Sequence, residues 1–127
     1  MKKPALSDGE WKLMNLLWEK SPRTIAEMVA ALKNDTAWTK ATINIMLGRM
    51  IKKGAVRYDD SGRSKLFYPV IDKEEAVISE TENFLSKVYN GSLSMMIASL
   101  AGQKALRADD IEELYKILNE AEKEVEK

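Results

Sequence analysis

Twice near its N-terminus the chain sets a Ser/Thr-x-x-Glu tetrad ahead of an apolar run: Ser7-Asp8-Gly9-Glu10 and Thr24-Ile25-Ala26-Glu27. In such a tetrad the hydroxyl accepts from the amide three residues on, and the carboxylate accepts from the amide of the cap, so two orphan donors are satisfied together. Each tetrad therefore marks the start of a separate helix. The first begins at Ser7, with Leu6 and Trp11 placed for a hydrophobic staple and a face of Trp11, Met14, Leu17 and Trp18; Ser21-Pro22 ends it. The second is short and carries Ile25, Met28, Val29 and Leu32 on its buried side. Lys33-Asn34-Asp35-Thr36 reads as a turn. Thr39 then caps a third helix running to about Lys53, with Ile43, Met46, Leu47, Met50 and Ile51 at helical spacing and Gly54 as the stop behind Lys52-Lys53.

The texture changes after Gly54. Ala55-Val56-Arg57-Tyr58 and Lys65-Leu66-Phe67-Tyr68 read as strands joined by the turn chemistry of Asp59-Asp60-Ser61-Gly62-Arg63, and Pro69 closes the second. A fourth helix opens at Asp72-Lys73-Glu74-Glu75, presents Ala76/Val77, Thr81, Phe84/Leu85 and Val88, and ends at Asn90-Gly91. A short apolar helix over Leu93–Leu100 precedes Gly102. A last one starts near Asp109-Asp110, with Ile111, Leu114, Leu118, Ala121 and Val125 on one stripe and mostly acidic outer positions. The predicted class is mainly α with a small β-hairpin wing (α+β). Residues 1–71 form a winged helix-turn-helix domain and residues 72–127 a helical dimerisation domain.

Charge divides at the same place. Lys and Arg outnumber Asp and Glu 13 to 7 in residues 1–71 and are outnumbered 7 to 13 in residues 72–127. A basic half points to a polyanion, and phosphate neutralisation supplies most sequence-independent affinity for nucleic acid. With no Cys and no His, Cys/His zinc sites and His-based acid–base catalysis are excluded. No Gly-rich phosphate loop is present either, so no enzyme constellation is evident, and no metal or cofactor is expected. Met1-Lys2-Lys3-Pro4 lacks the apolar run of a signal peptide, and no stretch approaches the ~20 apolar residues of a membrane span. A cytoplasmic location without membrane insertion follows as the expectation.

In a winged helix-turn-helix the third helix enters the major groove and the hairpin lies along a neighbouring backbone. The first turn of that helix must then present small and polar side chains. Thr39, Lys40, Ala41, Thr42 and Asn44 are the candidate base-contacting residues: Asn can bridge adenine N6 and N7, while Thr and Ala can touch thymine methyls. Phosphate contacts fall to Lys33, Arg49, Lys52 and Lys53, with Arg57, Arg63 and Lys65 of the wing. Trp11 and Trp18 belong to the buried face of the first helix; Trp38 either packs beneath the wing or braces the recognition turn. The competing class is a winged helix that docks on protein, which would show exposed apolar residues where Thr42 and Asn44 stand.

The acidic helices each show one apolar stripe, too narrow to fill a core. Burial against a second copy is the favoured solution, and folding back over the winged domain the other. The candidate interface is Phe84, Leu85, Val88, Leu93, Met96, Ile97, Leu100, Ile111, Leu114, Leu118 and Ala121. Two-fold symmetry then matches a palindromic duplex.

Glu10-Trp11-Lys12-Leu13-Met14 with Leu16-Leu17-Trp18, Trp38-Thr39 followed by Thr42-Ile43, Arg49-Met50-Ile51-Lys52-Lys53-Gly54, and Phe67-Tyr68-Pro69-Val70 come in a telling order. So do Phe84-Leu85-Ser86-Lys87-Val88-Tyr89-Asn90-Gly91 and Ile111-Glu112-Glu113-Leu114. Over nearly its whole length the chain resembles the penicillinase repressors, the BlaI/MecI family. The resemblance implies a homodimeric winged-helix repressor of a resistance or related stress operon, seated on a palindromic operator. In the β-lactam-sensing branch a membrane sensor protease signals, and the repressor is cut at an Asn-Phe bond in its dimerisation region. That bond lines up with Ser99-Leu100, where the Asn is missing. That branch has Pro-Lys-Thr-Ile-Arg after its Ser cap, against Lys40-Ala41-Thr42-Ile43-Asn44 in this chain, so Thr42 carries over as a base-contacting residue and the Lys and Arg do not. A copper-responsive branch carries a C-terminal Cys cluster, which this chain lacks.

Overall fold

Both predicted capping boxes are closed in the computed structural model, which describes residues 5–126; the Met1-Lys2-Lys3-Pro4 start lies outside them. Helix α1 (Asp8–Glu19) begins where Ser7 N–H donates to Glu10 Oε1 at 2.8 Å and Glu10 N–H donates to Ser7 Oγ at 3.2 Å. Helix α2 (Ile25–Ala31) repeats the exchange between Thr24 and Glu27 at 3.0 and 3.1 Å. Helix α3 (Lys40–Lys52) is capped by Thr39. It leaves through Gly54 at φ +80°, with Gly54 N–H donating to Ile51 O and Ala55 N–H to Met50 O at 2.9 Å. This is the Schellman exit, which only a residue at ease with positive φ permits.

Strands β1 (Val56–Asp59) and β2 (Leu66–Pro69) pair antiparallel, with Arg57 opposite Tyr68 and Tyr58 opposite Phe67. Each strand sits one residue later than expected. Ala55 is spent on the helix exit: its N–H caps α3 and its carbonyl accepts from Val70 N–H at 2.8 Å. A segment absent from the sequence reading joins the sheet, because Arg23 exchanges two backbone hydrogen bonds with Phe67, at 2.9 and 3.2 Å. The Arg23 side chain turns back to cap α1, its Nε donating to the carbonyls of Leu16 and Lys20, where the helix dipole favours a cation.

The core joins Leu13, Met14 and Leu17 of α1, Met28 and Leu32 beside α2, Ile43, Leu47 and Met50 of α3, and Ala55, Val56 and Phe67 of the hairpin. Each large apolar side chain fully buried there contributes roughly 1.5–3 kcal/mol. The expected α1 face is therefore rotated, with Leu13 at its centre and Trp11 and Trp18 half-buried at its edge. A buried indole N–H usually finds a partner, but among the described residues Trp11 Nε1 is buried with none. Trp18 Nε1 donates to Ile71 O at 3.0 Å, and the two indoles meet edge to face at 5.6 Å.

The chain divides by compactness after Glu80. Helix α4 (Lys73–Tyr89) starts where the Asp72 carboxylate accepts from Glu75 N–H, and ends with Asn90 and Gly91 both at positive φ. Helix α5 (Leu93–Gly102) is capped by Ser92 and continues past the expected end at Leu100. Helix α6 (Ala108–Val125) starts just before the expected Asp109, where Asp110 accepts from Arg107 N–H at 3.0 Å. Neither α5 nor α6 buries a residue in the single chain. Among the described residues no helix is long and apolar enough to cross a membrane.

Candidate nucleic-acid interface

The N-terminal turn of α3 is shaped by its cap. Thr39 Oγ1 accepts from Thr42 N–H at 3.2 Å and lies 3.3 Å from Thr42 Oγ1, so these two candidate base-contacting hydroxyls are paired at the tip of the helix. Thr39, Lys40, Ala41 and Asn44 are exposed, Thr42 is half-buried, and Ile43 is fully buried in the core. Lys40, Ala41 and Asn44 line an open cleft of about 490 Å³. Thr24, Ile25 and Ala26 at the start of α2, and Ser64 and Lys65 of the wing, form its other walls. The fold thus brings three separate pieces of chain to one depression.

Trp38 sets the approach to this turn. Its ring lies against Gly9 of α1, where an added Cβ would stand 3.2 Å from the indole and 2.8 Å from Met46 Cε. The ring is half-buried and packs against the core on the α1 side.

The cations fall into two groups. Lys33, Arg49, Lys52, Arg57, Arg63 and Lys65 are exposed. On the wing, Arg57 stacks over Tyr68 at 4.0 Å and Lys65 Nζ stands 4.6 Å from the Tyr58 ring centre. Such stacking orients a cation and leaves its outward donors unspent. Between them the turn is fixed by Ser61 N–H donating to Asp59 Oδ1 at 2.8 Å, and the hydrogen bonds from Ser61 hold the Asp59 carboxyl below its ordinary range. Lys53 is different. Its ammonium donates to Glu10 Oε1 and to Ala5 O, and Glu10 is only 3% exposed. Burial pushes the Glu10 carboxyl up, but Lys53 and the Ser7 hydrogen bonds outweigh it and leave the group below its ordinary range. Expected to meet phosphate, Lys53 is exposed like the others, but its ammonium is engaged by Glu10 and Ala5.

Two features of α3 escaped the sequence reading. Ile45, outside the base-contacting set expected from the sequence, is 58% exposed and shares the outer face with Asn44 and Arg49. Gly48, one turn on, is exposed with open space around it. A helical wheel drawn around the buried Ile43, Leu47 and Met50 would have placed both on the outer face.

In the second unit Phe84, Val88, Leu93, Leu100, Ile111, Leu118 and Ala121 are exposed, and Leu85, Met96, Ile97 and Leu114 are half-buried. Met95, Tyr115 and Ile117, which the stripe pattern omitted, are exposed as well. Ser99 and Leu100 lie inside α5, where Ser99 O accepts from Gln103 N–H and Leu100 O from Ala105 N–H. No cluster of metal-ligating side chains occurs among the described residues.

Three helices, a wing and a cation-rimmed cleft at the start of the third helix define a winged helix-turn-helix protein. The profile of the family described as penicillinase repressor matches residues 6–120, and the chain belongs to that family. It is 36% identical over 121 residues to the penicillinase repressor of Bacillus licheniformis, covering 94% of each chain. It is 26% identical over 114 residues to the methicillin resistance regulatory protein MecI of Staphylococcus aureus strain N315, covering 90% of this chain and 93% of that one. Among solved structures it is similar to the DNA-binding domain of the repressor BlaI in solution, with a TM-score of 0.51 and 36% identity over 59% of this chain and 93% of that one. It is equally similar to monomeric Bacillus licheniformis BlaI bound to the blaP half-operator, with a TM-score of 0.51 and 35% identity over 58% and 90% of the two chains. The family is one of repressors, not of enzymes.

Proposed function

We propose that the chain is a sequence-specific, DNA-binding transcriptional repressor that acts as a homodimer on a palindromic operator of a resistance or stress operon. The observation that carries the reading is the cleft in which Lys40, Ala41 and Asn44 of α3 face Lys65 of the wing. Residues 1–71 read the duplex and residues 72–127 pair the subunits. Thr39, Lys40, Ala41, Thr42 and Asn44 meet base edges, and Lys33, Arg49, Lys52, Arg57, Arg63 and Lys65 meet phosphates. Lys53 is assigned to the fold instead, because its donors are engaged by Glu10 and Ala5.

Pairing is supported by the apolar side chains that α5 and α6 leave uncovered, with Leu114 and Leu118 at the centre of the stripe. A dimer holds two reading heads at high effective concentration, so separating the helices weakens operator binding without touching a base contact. Release by a membrane sensor protease that cuts Ser99-Leu100 requires extended backbone there, so the last turn of α5 must unwind and Leu100 must leave the subunit interface first. The repressor works in the cytoplasm, where the chromosome is.

The competing reading, a protein-docking winged helix, draws on one observation: Ile45 stands exposed on α3. Selection of bound sequences from random duplexes, followed by titration at several salt concentrations, separates the two. A repressor recovers a two-fold symmetric site and loses affinity by orders of magnitude between low and moderate salt. Failure to enrich any sequence, with a flat salt response, favours protein docking.

A further inference from the structure

On the exposed face of α3, Ala41 and Ile45 lie four residues apart on one stripe, and Gly48 follows one turn after Asn44. A lone exposed isoleucine is ordinary on a protein surface. This one is not a displaced core residue, since Ile43, Leu47 and Met50 already fill the inner face and are completely or almost completely buried. Its neighbours outward are Asn44 and Arg49, so it forms an apolar island in a polar and basic surface. Gly48 is equally unexplained by the folded chain. A Cβ there would meet nothing within 4 Å, and its backbone is helical, so alanine would fit and favour the helix.

We infer that Ile45, with Ala41 one turn before it, reads thymine methyl groups in the major groove, and that the bare backbone at Gly48 lets the middle of α3 approach the duplex closely. The inference rests on the operator-binding reading and extends base recognition beyond the first turn. The 5-methyl of thymine is the one apolar group on a base edge in that groove, and a branched aliphatic side chain is its natural counterpart. The flanking cations Arg49 and Lys52 match the phosphates beside it. An aliphatic side chain distinguishes thymine from cytosine by the methyl, so the half-site is expected to hold thymine where Ile45 falls.

The test uses the full chain and a duplex recovered by selection, with each thymine replaced in turn by deoxyuridine, which lacks only the methyl. The wild type loses about fourfold in affinity at one or two positions, the worth of one methyl removed from water. Ile45→Ala binds more weakly and is indifferent to the same replacements. If Ile45→Ala remains as sensitive as the wild type at every position, the assignment is overturned. If the wild type selects no sequence at all, operator binding itself fails, and the inference with it. Gly48→Ala supplies the second arm: its Tm rises by a few degrees while its affinity for the selected duplex falls. Undiminished affinity in that variant overturns the close approach at Gly48.

Discussion

The ammonium of Lys53 sits 2.5 Å from Oε1 of Glu10, joining the exit of α3 to the first turn of α1. The same carboxylate oxygen accepts from Ser7 N–H, so one buried group caps a helix and anchors another. Removing one partner of such a pair leaves an uncompensated charge. Because Lys53 is about one-third exposed, solvent softens the loss. Lys53→Met is expected to lower unfolding free energy by roughly 1–2 kcal/mol in urea titrations. Its salt slope of operator binding should stay at the wild-type value; a reduced slope would return Lys53 to the phosphate contacts.

The depressed carboxyl of Glu10 also fixes a pH dependence. Its folded value lies below the ordinary 4.5, so the stabilisation is fully present above that pH and is lost as pH falls through the folded value. Thermal unfolding of the wild type between about pH 5 and pH 3 should show a drop that Glu10→Gln reduces, the variant starting lower and falling less steeply. Parallel curves would show that other carboxylates carry the acid sensitivity.

Thr39 and Thr42 separate stability from recognition. Thr39 Oγ1 caps α3, and Thr39→Ala should cost about 1 kcal/mol of stability. Thr42→Ala keeps the capping bond, which runs from the Thr42 backbone N–H, and gives up only the exposed 3.3 Å contact between the two hydroxyls. It should unfold as the wild type does while losing preference among half-site variants. Asn44→Ala should behave likewise, and an equal loss on random duplex would deny either residue a base-reading role.

Arg57→Ala, Arg63→Ala and Lys65→Ala act on the wing. Each should weaken binding uniformly across sequences and reduce the slope of log affinity against log salt by about one. Unchanged slopes in all three would place the wing off the backbone.

Arginine at Leu114 and Leu118 together should yield monomers in sedimentation velocity, with the thermal transition of residues 5–80 retained. A dimer that persists would put the interface on other exposed side chains, of which Met95, Tyr115 and Ile117 are the first to try.

Local chemistry made much of this legible. The capping boxes at Ser7 and Thr24, the cap at Thr39 and the stop at Gly54 are each encoded within four residues, and all formed where expected. What escaped depends on groups far apart in sequence. The Arg23–Phe67 bridge is a single backbone pairing with no alternating pattern to announce it. The engagement of Lys53 requires knowing that Glu10 is buried beside it, and a Lys-Lys-Gly helix end offers no such hint. The rotation of α1 toward Leu13 was obscured by its tryptophans, which dominate any hydrophobicity count yet stay half-buried at the edge of the core, Trp18 with its N–H on Ile71 O.

The Schellman exit at Gly54 has a mechanical corollary. Ala55 is tied on one side to Met50 and on the other to Val70, so the reading helix and both strands of the wing share a single joint with no slack. On the operator-binding reading proposed above, a helix and hairpin held at one joint would leave any mismatch in span to curvature of the duplex, so that easily bent base steps would count in the recognised sequence without being touched.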